Sequence, residues 1–114
     1  MQHRIVLPRG DTALVSFEIE GRNPQETDRA VMAIRRAGGG LVLEMVSTVE
    51  GGKPVQFLLT HDDTERMREG DYEWDVRYVT NATLDAEGRV TGGEEVATYY
   101  QASPLEITKV VTKL

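Results

Sequence analysis

Cysteine is missing altogether from the 114 residues. Its absence removes disulfides, thiolate metal ligation and a cysteine nucleophile from consideration. Histidine is nearly absent as well. His3 and His61 are the only two, neither has a partner at metal-ligand spacing, and both read as surface or strand-end residues. Long apolar runs are lacking, and no stretch approaches the roughly 20 residues that a membrane-crossing helix requires. Residues 1–4 lead into strand-like sequence, not into the apolar centre of a secretory signal. Positive charge is the scarcer sign, with 13 Lys+Arg against 19 Asp+Glu and a net charge of −6. A nucleic-acid footprint needs clustered positive charge, so neither nucleic acid nor membrane is an expected partner. The length predicts one domain over residues 1–114. A chain of this size buries about 65% of its unfolded surface, enough for one core without staples.

What is present is period-2 alternation. Arg4-Ile5-Val6-Leu7 forms a short first strand stopped by Pro8 and Gly10. In residues 12–20, Ala13, Val15, Phe17 and Ile19 point one way and Thr12, Ser16, Glu18 and Glu20 the other, with Leu14 the exception. Residues 27–37 carry two signals. Asn23, Pro24 and Glu26 spell a helix start, with Ala30, Ala33, Ile34 and Ala37 on one helical face. Read as a strand, Ala30, Met32 and Ile34 share a face. Further strands are expected at 41–49, with Leu41, Leu43 and Met45 on one face, and at 54–59, with Val55, Phe57 and Leu59 inward. A short helical turn is expected near residues 63–69, capped by Asp62 or Asp63 and ended by Gly70. The clearest strand is 72–79, where Tyr72, Trp74, Val76 and Tyr78 share one face. Residues 81–93 read as a long mobile connection, and residues 96–101 and 105–111 as two closing strands separated by Ser103-Pro104. The pattern predicts an all-β fold, an immunoglobulin-like β-sandwich of about 7–8 strands with one short helical turn.

Within it, Met67 to Tyr72 reads as a helical turn, a glycine and then a tyrosine that opens a strand. This resembles the corner where a tyrosine hydroxyl bonds back to the preceding backbone. Residues able to carry chemistry are scattered. Asp62, Asp63 and Glu65 form a small acidic group that helix capping explains as well as calcium would. Glu94-Glu95 and the pair Glu18/Glu20 occupy solvated positions with no second carboxyl across a cleft. Ser16, Ser47 and Ser103 lie in no nucleophile elbow. The glycines at 38–40 lack the following lysine-bearing helix of a phosphate loop, and Arg35-Arg36 reads as a solvated pair. Arg9-Gly10-Asp11 spells an adhesion tripeptide whose glycine has a sufficient role as a turn. Tyr99-Tyr100 is expected to place one ring in the core and one outside, at an interface or a sugar-stacking surface. No catalytic, cofactor-binding or metal-binding set is assigned, and no enzyme activity is expected.

The order of motifs resembles the N-terminal immunoglobulin-like domain of phage baseplate upper proteins, a tail family of phages and prophages of Gram-positive bacteria. The positions that carry the likeness are Arg9-Gly10-Asp11-Thr12, Asn23-Pro24, the stretch Ala30-Val31-Met32-Ala33-Ile34, Leu58-Leu59-Thr60 with Asp62-Asp63-Thr64, and Met67 to Gly70 with Tyr72 and then Asp75. Asp85-Ala86-Glu87-Gly88-Arg89-Val90 is similar to the family's hairpin, and Leu105-Glu106-Ile107 to its closing strand. The likeness spans nearly the whole chain, although the loop at 81–95 is longer than the family's, and larger relatives continue beyond this length. The resemblance favours a strand over Ala30 to Arg36. It implies a non-enzymatic structural protein of a tail or baseplate, located in the virion and in the bacterial cytoplasm before assembly. Its partners would be other phage tail proteins, with a homo-oligomer in the particle. The first strand and the last, at 105–111, would be the working edges. A stand-alone carbohydrate-binding or adhesin-like module, resting on an exposed tyrosine, is the alternative.

Overall fold

A computed structural model describes residues 3–112. The chain is an all-β sandwich. Five strands make the larger sheet in the order β1–β9–β6–β3–β4: β1 Ile5–Pro8, β9 Glu95–Thr108, β6 Gly70–Thr80, β3 Arg29–Arg36 and β4 Leu41–Thr48. β1 runs parallel to the end of β9, and the other neighbours are antiparallel. A small sheet of β2 Ala13–Phe17 and β5 Val55–Leu59 lies over it. The inward residues of β2 and β5 (Val15, Phe17, Val55, Phe57, Leu59) meet Met32, Ile34, Trp74, Val76 and Leu105 of the large sheet in one core. Each of these belongs to an alternating set, which is why so few apolar residues suffice for two stacked layers.

The ambiguous segment is strand β3. Ala30, Met32 and Ile34 are fully buried and paired on both sides, by β4 and by β6. Two flanking ladders and a buried face outweigh the weak helix preference of its alanines. The helix-start residues upstream serve a turn instead: Gln25 donates its backbone N–H to Asp28 at 3.1 Å.

Helix α1 covers His61–Glu65, two residues earlier than the sequence suggests, and its N-cap is Thr60, not Asp62 or Asp63. The Thr60 hydroxyl accepts from Asp63 N at 3.2 Å, and the Asp63 carboxylate accepts from Thr60 N at 2.9 Å. That reciprocal pair satisfies two backbone donors, and it also gives Asp63 its role. The corner ahead of β6 is formed: Tyr72 donates its hydroxyl to the Arg68 carbonyl at 2.7 Å. Tyr72→Phe keeps the ring and removes only this bond. It is expected to cost about 1 kcal/mol, read as a lower urea midpoint at unchanged m value.

Three other expectations are corrected. Residues 81–93 form an ordered hairpin of β7 Thr83–Leu84 and β8 Val90–Gly92, closed by Asp85 N to Arg89 O at 2.9 Å. The Asp85 carboxylate accepts from Glu87 N and Arg89 N, which makes the polar stretch its own scaffold. The two closing strands are one continuous strand, β9, in which Ser103 and Pro104 keep the register with β6, opposite Trp74 and Glu73. β9 ends at Thr108, and residues 109–111 lie beyond it.

The hairpin is pressed onto the large sheet. A Cβ at Gly93 would clash with Val79 Cγ1 and stand 2.9 Å from the Thr80 carbonyl. Gly93→Ala is therefore expected to cost about 1–3 kcal/mol by forced displacement. Faster amide exchange across 80–95 would locate that loss. Gly40→Ala, with nothing near its Cβ, is the control and leaves the exchange pattern unchanged.

Candidate functional site

The groups with the most unusual surroundings gather behind β6 and β9. Asp28 is 3% exposed. Its carboxylate accepts from Tyr78 Oη at 2.5 Å, Asn81 N at 2.9 Å and Gln25 N at 3.1 Å. Burial alone pushes its pKa up, but the Tyr78 hydroxyl and the two backbone donors outweigh it, leaving the group below the usual carboxylate range. Tyr78 is raised in turn by burial and by the Asp28 carboxylate. Asn81 takes a left-handed φ of 49°, which asparagine tolerates, and so presents its N–H to Asp28. Arg22 lies over the Tyr78 ring at 4.9 Å and donates to Tyr99 Oη at 3.0 Å. Every polar group in the cluster has a partner, so it acts as a clasp joining residues 22–28 to the end of β6. No motif in the sequence marks it, because Asp28 and its Tyr78 and Asn81 partners stand 50 and 53 residues apart.

The two tyrosines differ from expectation. Tyr99 donates to the Glu20 carbonyl at 2.9 Å and Tyr100 to the Glu18 carbonyl at 3.0 Å. Tyr100 packs on Phe17 at 4.9 Å, and Tyr99 on Tyr78 at 5.9 Å. Both rings lean over the inner face because the β6–β9 register shifts between Val76 and Arg77, which leaves Tyr99 as an extra residue. An extra residue in one strand re-aims its side chain, and alternation then fails to predict the face.

The Arg9-Gly10-Asp11 turn is engaged within the molecule. Gly10 has φ +87°, Arg9 Nε donates to the Glu65 carbonyl at 2.9 Å, and the Asp11 carbonyl accepts from Thr64 Oγ1 at 2.7 Å. Beside it a depression of about 510 Å³ is lined by Arg9, Asp11, His61, Glu65, Glu69 and Lys109. His61 Nδ1 stands 2.5 Å from the Gly10 carbonyl, so that nitrogen carries the proton and donates. Three acids and two bases line it, and Arg9 pairs with Glu69 at 3.7 Å. No group of three or more acidic or histidine side chains is placed to hold a metal ion among the described residues.

The outer face of the large sheet is mixed. Asp75 is raised by burial, partly offset by Arg77 and Arg35. It shares a shallow depression of about 320 Å³ with Val31, Ala33, Glu44, Val90 and Val96.

The remaining feature is edges. β1 and β4 each have a single neighbour in the large sheet. β1 is four residues long, ends in Pro8 and is flanked by the Arg4–Glu106 ion pair. Expected as an edge, the last strand is not one where it closes the sheet, since Leu105 to Thr108 pair with β1 on one side and Leu105 to Ile107 with β6 on the other. β4 is the long open edge, eight residues with one internal charge, Glu44. A residue's place in the strand order is set by long-range register, so the sequence does not reveal it. No family model, curated protein or solved structure matches this chain.

Proposed function

We propose that this protein is a non-enzymatic structural component of a phage or prophage tail, of baseplate type, that acts through protein–protein contacts. The observation that carries the reading is the tyrosine corner between β5 and β6 in a sandwich whose first and last strands pair in parallel, with β2 and β5 as the facing sheet. These features support an immunoglobulin-like arrangement. Two further motifs of the resemblance are consistent with this reading: Gly10 lies at a turn and Asp85 to Val90 at a hairpin. In such an assembly the open edges and faces are the working parts, and the acidic surface keeps free copies apart until partners are present.

The test is co-expression with the structural proteins encoded beside its gene, followed by affinity purification. A stable complex with at least one of them is expected, and failure with all of them overturns the reading. The carbohydrate-binding alternative drew on a free tyrosine at 99 or 100. Both rings are half-buried with their hydroxyls tied to backbone carbonyls, which speaks against a freely exposed stacking ring at either position.

A further inference from the structure

The outer face of the large sheet carries a trough with two carboxylates left open. Register places Ala33 opposite Glu44 on one side and opposite Asp75 on the other, so the three stand in one row across β4, β3 and β6. Glu44 and Asp75 are two strand spacings apart, about 10 Å. The alanine between them leaves a gap. Val31 and Val96 floor its continuation, and Val90 of the β7–β8 hairpin walls it, which makes the depression of about 320 Å³. A second depression of about 450 Å³ shares Ala33 and Asp75 with the first and runs on to Gly39, Gly40 and Leu41. Leu41 is there because the register shift beside Val42 brings it opposite Arg35, where alternation alone places it with Leu43 and Met45. The trough thus follows β3 from the hairpin to the 38–40 turn.

Neither the Glu44 nor the Asp75 carboxylate has a hydrogen bond or an ion pair among the described residues. Two arginines share this face. Arg35 is taken by Glu73 at 3.3 Å, and Arg77, opposite Val31 in the next row, is exposed and closes no ion pair with either acid. Asp75 is half-buried, and that burial outweighs both arginines, so its pKa stays above the ordinary carboxylate value. A carboxylate drawn partly out of water without a donor costs the free chain stability and gains most from an added cation.

We infer that this trough receives a lysine side chain from an extended segment of a neighbouring assembly protein, its ammonium above Ala33 between Asp75 and Glu44. The inference deepens the assembly reading above and rests on it. Lysine fits both parts of the lining: a compact ammonium for the two carboxylates, and a four-carbon stem for Val31, Val90 and Val96. A trough that continues along β3 past the ammonium position accepts the extended chain on which that lysine sits. The net charge of −6 favours a basic partner over a second copy of this chain.

The test has a partner-free arm and a complex arm. In the first, n-butylammonium, the end of a lysine side chain, is titrated into the full chain and followed by NMR. Saturable shifts confined to Val31, Ala33, Asp75 and Val90 are expected, weakened about tenfold or more in Asp75→Asn/Glu44→Gln. No saturable shift, or the same shift in the double variant, overturns the inference. Asp75→Asn alone is expected to melt at or above the wild-type temperature at pH 7, because a raised folded pKa means that the charged form is the less stable one. A lower melting temperature would make Asp75 a structural residue and also overturn the inference. In the second arm, the complex with a structural protein encoded beside the gene is treated with a zero-length carbodiimide. A lysine of that protein joined to Asp75 or Glu44 is expected, together with about tenfold weaker binding by the double variant. A complex whose crosslinks avoid both acids sinks the trough and leaves the assembly reading standing. No complex with any of these proteins removes both.

Discussion

Asp28→Ala is expected to lower the melting temperature by about 10 °C, from a loss of roughly 3 kcal/mol. The substitution leaves Tyr78 Oη and the backbone N–H groups of Asn81 and Gln25 without their acceptor. Tyr78 is buried in the core, so its hydroxyl has no alternative partner in bulk water. A buried donor left unmade loses its full desolvation cost, not the smaller net value of an exchanged bond. Asp28→Asn tests the same idea more gently. Whichever way the amide turns, its NH2 faces a backbone N–H, of Asn81 or of Gln25, so one donor stays unpaired and about half the effect is expected. The pH dependence has a definite sign. The folded-state pKa of Asp28 is depressed, so its contribution is present above the unfolded value near 3.9 and is lost as pH falls through the lower folded value. The gap between wild-type and Asp28→Ala melting temperatures should be constant from pH 7 to about pH 5 and narrow below pH 4. A gap that widens with acid would assign the stabilisation to other groups.

The strand faces that alternate in the sequence, 13–17 apart from Leu14, 55–59 apart from Leu58, and 72–78, are the faces that build the core. They were legible because each strand has one buried side, and a pleat transmits that burial to the sequence with a period of two. The corner at Tyr72 was legible because its parts lie within a few residues of each other. Where the periodic rule failed, the cause was an extra residue: Tyr99 in β9 and Val42 in β4 each shift the strand by one, and only the partner strand reveals this. The polar stretch at 81–93 read as mobile because its order comes from Asp85 bonding its own turn and from a glycine pressed against Val79. The open edge at β4 and the Asp28 clasp were both illegible for one reason. The clasp joins Asp28 to groups 50 and 53 residues further on, and β4 is an edge because β6 and β9 add to the other side of β3, neither of which composition encodes.

Phe17→Ala is expected to cost about 3–5 kcal/mol and to lower the melting temperature by 10 °C or more. The residue comes from the narrow sheet, and its ring reaches across to the wide one. It packs 5.0 Å from Trp74 and 4.9 Å from Tyr100, while 6.1 Å away it meets Phe57 of its own sheet. With only two strands covering five, each inward side chain of β2 carries a large share of the contact between layers. A cavity at position 17 also frees the Tyr100 ring, whose hydroxyl ties Glu18 to β9. Trp74 is the sole tryptophan and is 1% exposed, with its indole N–H donated to the His3 and Pro104 carbonyls. Its emission therefore reports on the same spot, and a red shift in folded Phe17→Ala is the expected signature of water reaching the ring. Leu14→Ala, three residues earlier on β2, supplies the contrast. Leu14 is 59% exposed beside Leu58 on the outer face, so its truncation should change stability by less than about 0.5 kcal/mol and leave the emission untouched. Equal losses for the two variants would mean that the outer face of the small sheet is covered too, and that the sandwich is not two layers deep.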